Sequence, residues 1–152
     1  LRAVERMEMT IPELDHLVVG SSLEHRPIIV ATSNSERALP EAFFRRCIYY
    51  HIPFPDDRLP LIVKAHRSEI EADRMELLIR IFQRVRDLEP RKKPSTAELL
   101  DFVKAVEPIG PNLADAANFQ ELTLSCLVKT EEDRVLVRDR WKSILEAARK
   151  PA

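Results

Sequence analysis

Apolar positions are arranged in two ways along this chain, and the change comes near Pro55-Asp56. Upstream they form short unbroken runs, Pro27-Ile28-Ile29-Val30-Ala31 and then residues 48–54, Ile-Tyr-Tyr-His-Ile-Pro-Phe. Runs of this length without alternation, separated by a helical stretch at 40–46, predict two buried strands of a mostly parallel sheet. Ligands of such sheets lie beyond the carboxyl ends of the strands, and the polar cluster Thr32-Ser33-Asn34 stands at that end of the first run. Further upstream, residues 9–19 read as two extended pieces around Pro12 or Asp15, and Pro12 argues against a central strand. Leu1, Val4 and Met7 are near helical spacing and suggest the end of a longer helix.

Downstream of Asp56 the period becomes helical throughout. Asp56 can cap a first helix carrying Leu59, Ile62, Val63 and His66, with Pro60 in the first turn, where a missing N–H costs little. Met75, Leu78, Ile79, Phe82 and Val85 mark a second helix over residues 73–88. Arg84, Arg86, Arg91, Lys92 and Lys93 make a local basic run, broken by Pro90 and Pro94. Ser95-Thr96-Ala97-Glu98 is a capping box opening a third helix, with Leu99, Phe102, Val103 and Val106 as its buried stripe. Pro108-Ile109-Gly110-Pro111 stops it; Asn112 and Thr130 suit the caps of two more, the last burying Val137, Trp141, Ile144, Leu145 and Ala148. The layout is an α/β part over residues 1–55 and an all-α part over residues 56–152.

Composition narrows the function classes. A 45% hydrophobic and 32% charged chain of 152 residues can bury a core of its own. Its 24 basic and 25 acidic residues give a formal charge of −1, with no general pull toward nucleic acid or anionic membranes. No apolar run approaches the roughly 20 residues that a membrane helix needs. Cys47 and Cys126 make no disulfide framework, and a reducing, cytoplasmic setting is the default. The four histidines have no metal spacing with each other or with cysteine, so no metal site is expected from them.

The order of these features resembles the second half of the nucleotide-binding module of AAA+ ATPases, and within them the MoxR branch. Ala31-Thr32-Ser33-Asn34 is similar to the strand end that carries sensor 1, with Asn34 in the sensor position. Leu39-Pro40-Glu41-Ala42-Phe43-Phe44-Arg45-Arg46 fits the spacing to the arginine finger. Arg46-Cys47 is also similar to the Ser-Arg-Cys motif of clamp-loader ATPases, with Arg45 in place of the serine. The segment from Lys93 to Leu100 looks like the lid segment bearing sensor 2. The resemblance spans Leu1 to about Trp141. It implies the C-terminal part of a P-loop AAA+ parallel sheet followed by a helical lid, with a hairpin insertion before the sensor strand. It implies ATP and Mg2+ as cofactors, hexameric rings of like subunits, and a protein substrate to be remodelled or assembled. The phosphate loop and the magnesium-binding acidic pair do not occur in this sequence, whose two glycines, Gly20 and Gly110, cannot form a glycine-rich cradle. These residues alone are therefore expected neither to hydrolyse ATP nor to bind it tightly. They read as the C-terminal part of a larger ATPase.

The chemistry suits those assignments, and each residue type has an ordinary structural use as well. The Asn34 amide can donate to a phosphate oxygen and accept from water, although Asn-Ser-Glu also favours a turn. Arg45 or Arg46 can neutralise transition-state charge across a subunit boundary, or complement the end of its own helix. Helical spacing does not choose between the two, while the Arg46-Cys47 likeness favours Arg46. The usual sensor 2 arginine is not evident; Lys92 and Lys93 are the nearest cations, and a solvated basic loop is the alternative. The rival readings are a non-catalytic helical interaction module and a clamp-loader-like subunit.

Overall fold

A computed structural model describes residues 6–22, 24–26, 28–33, 41–109 and 118–150, apart from the Phe43 side chain. The chain divides into two compact units, Leu1–Pro53 and Phe54–Ala152.

In the first unit, β1 (Glu8–Ile11) and β2 (Leu17–Gly20) pair antiparallel, with Glu8 opposite Gly20 and Ile11 opposite Leu17. A 3-10 turn, Pro12–Leu14, joins them. Asp15 and His16 then take positive φ values of 50° and 58°. Asp and His are among the non-glycine residues that enter this region most readily. Pro12 and Asp15 thus make the turn that their sequence suggested. Further on, α1 (Glu41–Phe44) is a single turn, closed by Arg45 N–H donating to the Glu41 carbonyl at 3.3 Å.

Among the described residues the expected parallel strands are not formed. Residues 28–33 and 48–53 carry no strand, and the hairpin is the only sheet among the described residues. Ile28 is 93% exposed and Ile48 fully so. The physical reason is that a strand exists through its neighbour's hydrogen bonds, and no described segment pairs with either run. Phe54, read as the end of the second run, packs instead in the helical unit, its ring 6.0 Å from Phe82.

The second unit contains α2 (Leu59–His66), α3 (Ala72–Asp87), α4 (Thr96–Val106), α5 (Phe119–Leu127) and α6 (Glu131–Arg149). Asp56 does not cap α2; it lies in a 3-10 turn, Asp56–Arg58, and Arg58 stands at the cap position without a side-chain bond. Pro60 falls in the first turn, as expected. The proposed Asn112 cap lies outside the described residues. Helix α4 packs on α5, and α3 on α6. Their apolar stripes meet in one core, with Leu78, Phe82, Leu99, Phe102, Leu124 and Val137 wholly buried. Phe102 and Phe119 stack at 6.1 Å, and Phe119 meets Trp141 edge-on at 5.7 Å, so three helices share one aromatic line.

Long side chains finish the helix ends. The Arg74 guanidinium donates to the Val106 carbonyl at the end of α4 and to the Ile109 carbonyl beyond it, and Arg80 Nε donates to the Ala148 carbonyl at 2.7 Å. Glu98 accepts the Ser95 N–H at 2.8 Å and the Ser95 hydroxyl as well, within the capping box expected there. Thr130 Oγ1 accepts the Asp133 N–H at 3.2 Å and caps α6.

Candidate functional site

The first-unit candidates are Asn34, Arg45 and Arg46. Asn34 lies outside the described residues. Arg45 follows α1 with its side chain 80% exposed, 3.7 Å from the equally open Glu41 carboxylate. Such surface pairs contribute little and break easily. Arg46 donates from its guanidinium to the Ala42 carbonyl at 3.0 Å, finishing the short helix. The two neighbouring arginines thus hold different places, one at the helix end and one extended into solvent beside a labile partner.

The second-unit candidates sit on the loop between α3 and α4, which is fixed from several directions. Glu89 turns the chain with φ 55°. Pro90 and Pro94 are buried, while Arg91, Lys92 and Lys93 between them are exposed. Asp133, 3% exposed, accepts the Arg91 N–H on Oδ1 at 2.9 Å and the Lys92 N–H on Oδ2 at 3.3 Å. Burial alone would raise the Asp133 pKa. The Arg91 N–H, the Thr130 hydroxyl, the Lys92 N–H and the Arg91 charge together hold it below the ordinary aspartate value. At the other end, Arg86 donates to the Pro94 carbonyl and lies over Phe54, 3.4 Å from the ring centroid.

The three cations of the loop are not equivalent. Arg91 pairs with Glu132 at 3.4 Å, and Lys93 with Glu89 at 2.6 Å. The Lys92 ammonium has no ion pair among the described residues. A cleft of about 770 Å³ borders the loop, lined by Arg80, Arg84, Arg86 and Lys93 together with Asp87 and Glu146. Arg84 is already paired with Asp87, at 3.8 Å, so the wall is of mixed charge. Among the described residues no three His, Cys, Asp or Glu side chains gather as metal ligands would, and no helix is long and apolar enough to cross a membrane.

Asp133 and Arg86 are the residues that sequence reasoning missed. Asp133 stands three places after a Thr cap, where an acidic side chain ordinarily serves its own helix. Nothing local indicates that it reaches the backbone of Arg91, 42 residues earlier. Arg86 reads as one more charge in a basic stretch. Comparison with protein-family models, curated proteins and solved structures gives no match.

Proposed function

We propose that this chain is the sensor, finger and lid portion of a MoxR-type AAA+ ATPase, which couples ATP hydrolysis to the remodelling or assembly of partner proteins in a ring of like subunits. The α/β part, residues 1–55, then belongs to the nucleotide-binding domain, and residues 56–152 form its lid. When bound, ATP and Mg2+ supply the reacting phosphoryl group and much of the charge neutralisation. Asn34 orients water against the γ-phosphate, Arg46 or Arg45 reaches the nucleotide of the adjacent subunit, and Lys92 or Lys93 meets phosphate from the lid.

The observation that carries the reading is the setting of the arginine pair. A cation that acts across a subunit boundary has to stand at the surface, and both arginines are exposed there, Arg45 by 80% of its side chain. The loop before α4 fits a phosphate through side chains only, since Asp133 engages the N–H groups of Arg91 and Lys92. In the complete ATPase, Asn34→Ala is expected to lower turnover on the order of 10²-fold while nucleotide binding persists. Collapse of nucleotide affinity with unchanged turnover of bound ATP would show that Asn34 has a different role.

The second reading is a non-catalytic helical interaction module. It is favoured by one observation: every buried apolar residue among those described belongs to the helical unit. That reading requires no ATP turnover at all, so the wild-type rate separates the two.

A further inference from the structure

The hairpin of the first unit gathers its apolar side chains on one face. Cross-strand partners share a face, and the faces alternate along each strand. Met9 opposite Val19 and Ile11 opposite Leu17 therefore stand together, while Glu8 opposite Gly20 and Thr10 opposite Val18 make the other face. The four apolar side chains are not covered. Met9 and Leu17 are more than half exposed, Val19 is 48% exposed and Ile11 is half-buried. A hairpin of two strands is marginal by itself, and covering its apolar face stabilises it. Charge narrows what can cover it. Between Arg6 and Arg26 the sequence holds four carboxylates, Glu8, Glu13, Asp15 and Glu24, and no lysine or arginine. None of the four has an ion pair among the described residues. Glu13 and Asp15 stand in the turn that joins the strands, and Glu8 opens β1.

We infer that this face docks a basic, apolar segment of a partner protein, a few aliphatic side chains flanked by lysine or arginine. The aliphatic side chains lie across Met9, Ile11, Leu17 and Val19, and the flanking cations meet the carboxylates of the turn and the strand end. The same charges disfavour the other occupants. Two such hairpins face to face would bring two sets of carboxylates together with no lysine or arginine between them, so a second copy fits poorly. Nucleic acid and anionic lipid are repelled in the same way. The surface is small, so the contact is weak and reversible. Docking of this kind needs no nucleotide and stands apart from ATP hydrolysis.

The test uses this chain and a fluorescent peptide, Lys-Arg-Leu-Val-Ile-Val-Arg-Lys, blocked at both ends. Anisotropy follows the binding, and NMR of the backbone amides locates it. Saturable binding is expected, with shifts centred on Met9, Ile11, Leu17 and Val19. A peptide with glutamate at each basic position, or serine at each apolar one, should bind at least about tenfold more weakly. Val18 and Val19 separate the two faces, being the same residue type on one strand, 58% and 48% exposed. Val19→Thr should weaken binding about fivefold and Val18→Thr less than about twofold, since threonine keeps the strand and removes a methyl group. Met9→Thr, on the face of Val19, should act as Val19→Thr does. Asp15→Asn keeps a residue type that tolerates the positive φ, and should weaken binding about twofold and lessen its dependence on salt. Equal losses in Val18→Thr and Val19→Thr overturn the docking face, and the absence of saturable binding overturns the proposal outright. Equal affinity for the acidic peptide overturns the basic partner. A dimer of this chain that excludes the peptide and weakens in Val19→Thr would make a second copy the occupant. Tighter binding to phosphatidylcholine vesicles, lost in Val19→Thr, would make it a lipid surface. Either result overturns the assignment to a partner protein.

Discussion

Replacing Arg86 with lysine keeps its charge and removes its plane, which makes it a sharp probe of how the helical unit is closed. The guanidinium lies 3.4 Å from the centroid of the Phe54 ring and 5.7 Å from that of Phe82, and it donates to the Pro94 carbonyl. Burial pulls the Arg86 pKa below the ordinary arginine value, while Asp56 and Asp87 act to raise it. Arginine remains charged under such conditions, where a lysine is more readily neutralised. Stacking on Phe54 contributes about 0.5–2 kcal/mol, and the charge-assisted bond to Pro94 about 1.5–3 kcal/mol. Lysine can keep part of the second contribution and little of the first. Arg86→Lys should therefore cost about 1–3 kcal/mol, lowering the thermal midpoint of a unit this size by roughly 5–20 °C. Urea denaturation at low and high salt, with Phe54→Leu as the second arm of a double-mutant cycle, measures it. The loss should be nearly independent of salt and should shrink when Phe54 is already replaced. A lysine variant as stable as wild type, or a loss that vanishes in high salt, would refute the reasoning: Arg86 would then serve by charge alone.

Two further predictions concern the caps and the acid limb of stability. Ser95→Ala should cost about 0.5–2 kcal/mol, and Glu98→Ala more, because the Glu98 carboxylate accepts both the N–H and the hydroxyl of Ser95. Equal losses in chemical denaturation would show that the serine carries the cap. Asp133 has a depressed pKa in the folded chain, so its contribution is complete above the unfolded value of about 3.9 and is lost as pH falls through the lower folded value. Thermal midpoints should accordingly fall less steeply in acid for Asp133→Asn than for wild type; parallel slopes would remove Asp133 from the acid response.

What the sequence made legible was local. The stripe Leu99, Phe102, Val103 and Val106 is four residues on one face of a helix, and all four are buried. The Ser95–Glu98 box and the Thr130 cap depend on contacts three residues apart, and both are formed. Periodicity is a property of the chain itself, so it survives without knowledge of neighbours. Strands are different. Residues 28–30 have the composition of a buried strand, but composition does not supply the pairing partner, and here these residues are exposed. The site residues divide in the same way. Arg45, Arg46, Lys92 and Lys93 were legible as charges at element ends; that Lys93 pairs with Glu89, while Lys92 has no ion pair among the described residues, was not. Asp133 was illegible because its partners lie 41 and 42 residues away.

On the proposed ATPase function an arginine of this chain works in a neighbour's nucleotide site, and mixed rings are the direct test of that proposal. If the chain is part of such an ATPase, Arg46→Ala subunits of the full-length protein should still bind ATP, and their rings should turn it over roughly 10³–10⁵ times more slowly. A subunit disabled in its phosphate loop is inactive by itself, yet still offers Arg46 to the subunit beside it. Mixing the two inactive proteins re-forms an intact site wherever the disabled subunit presents Arg46 to ATP held by the Arg46→Ala subunit. Partial recovery of ATP turnover is expected in such rings. Rings that demonstrably mix and recover nothing, while the corresponding Arg45→Ala mixtures do recover, would move the finger to Arg45; no recovery from either would contradict the claim.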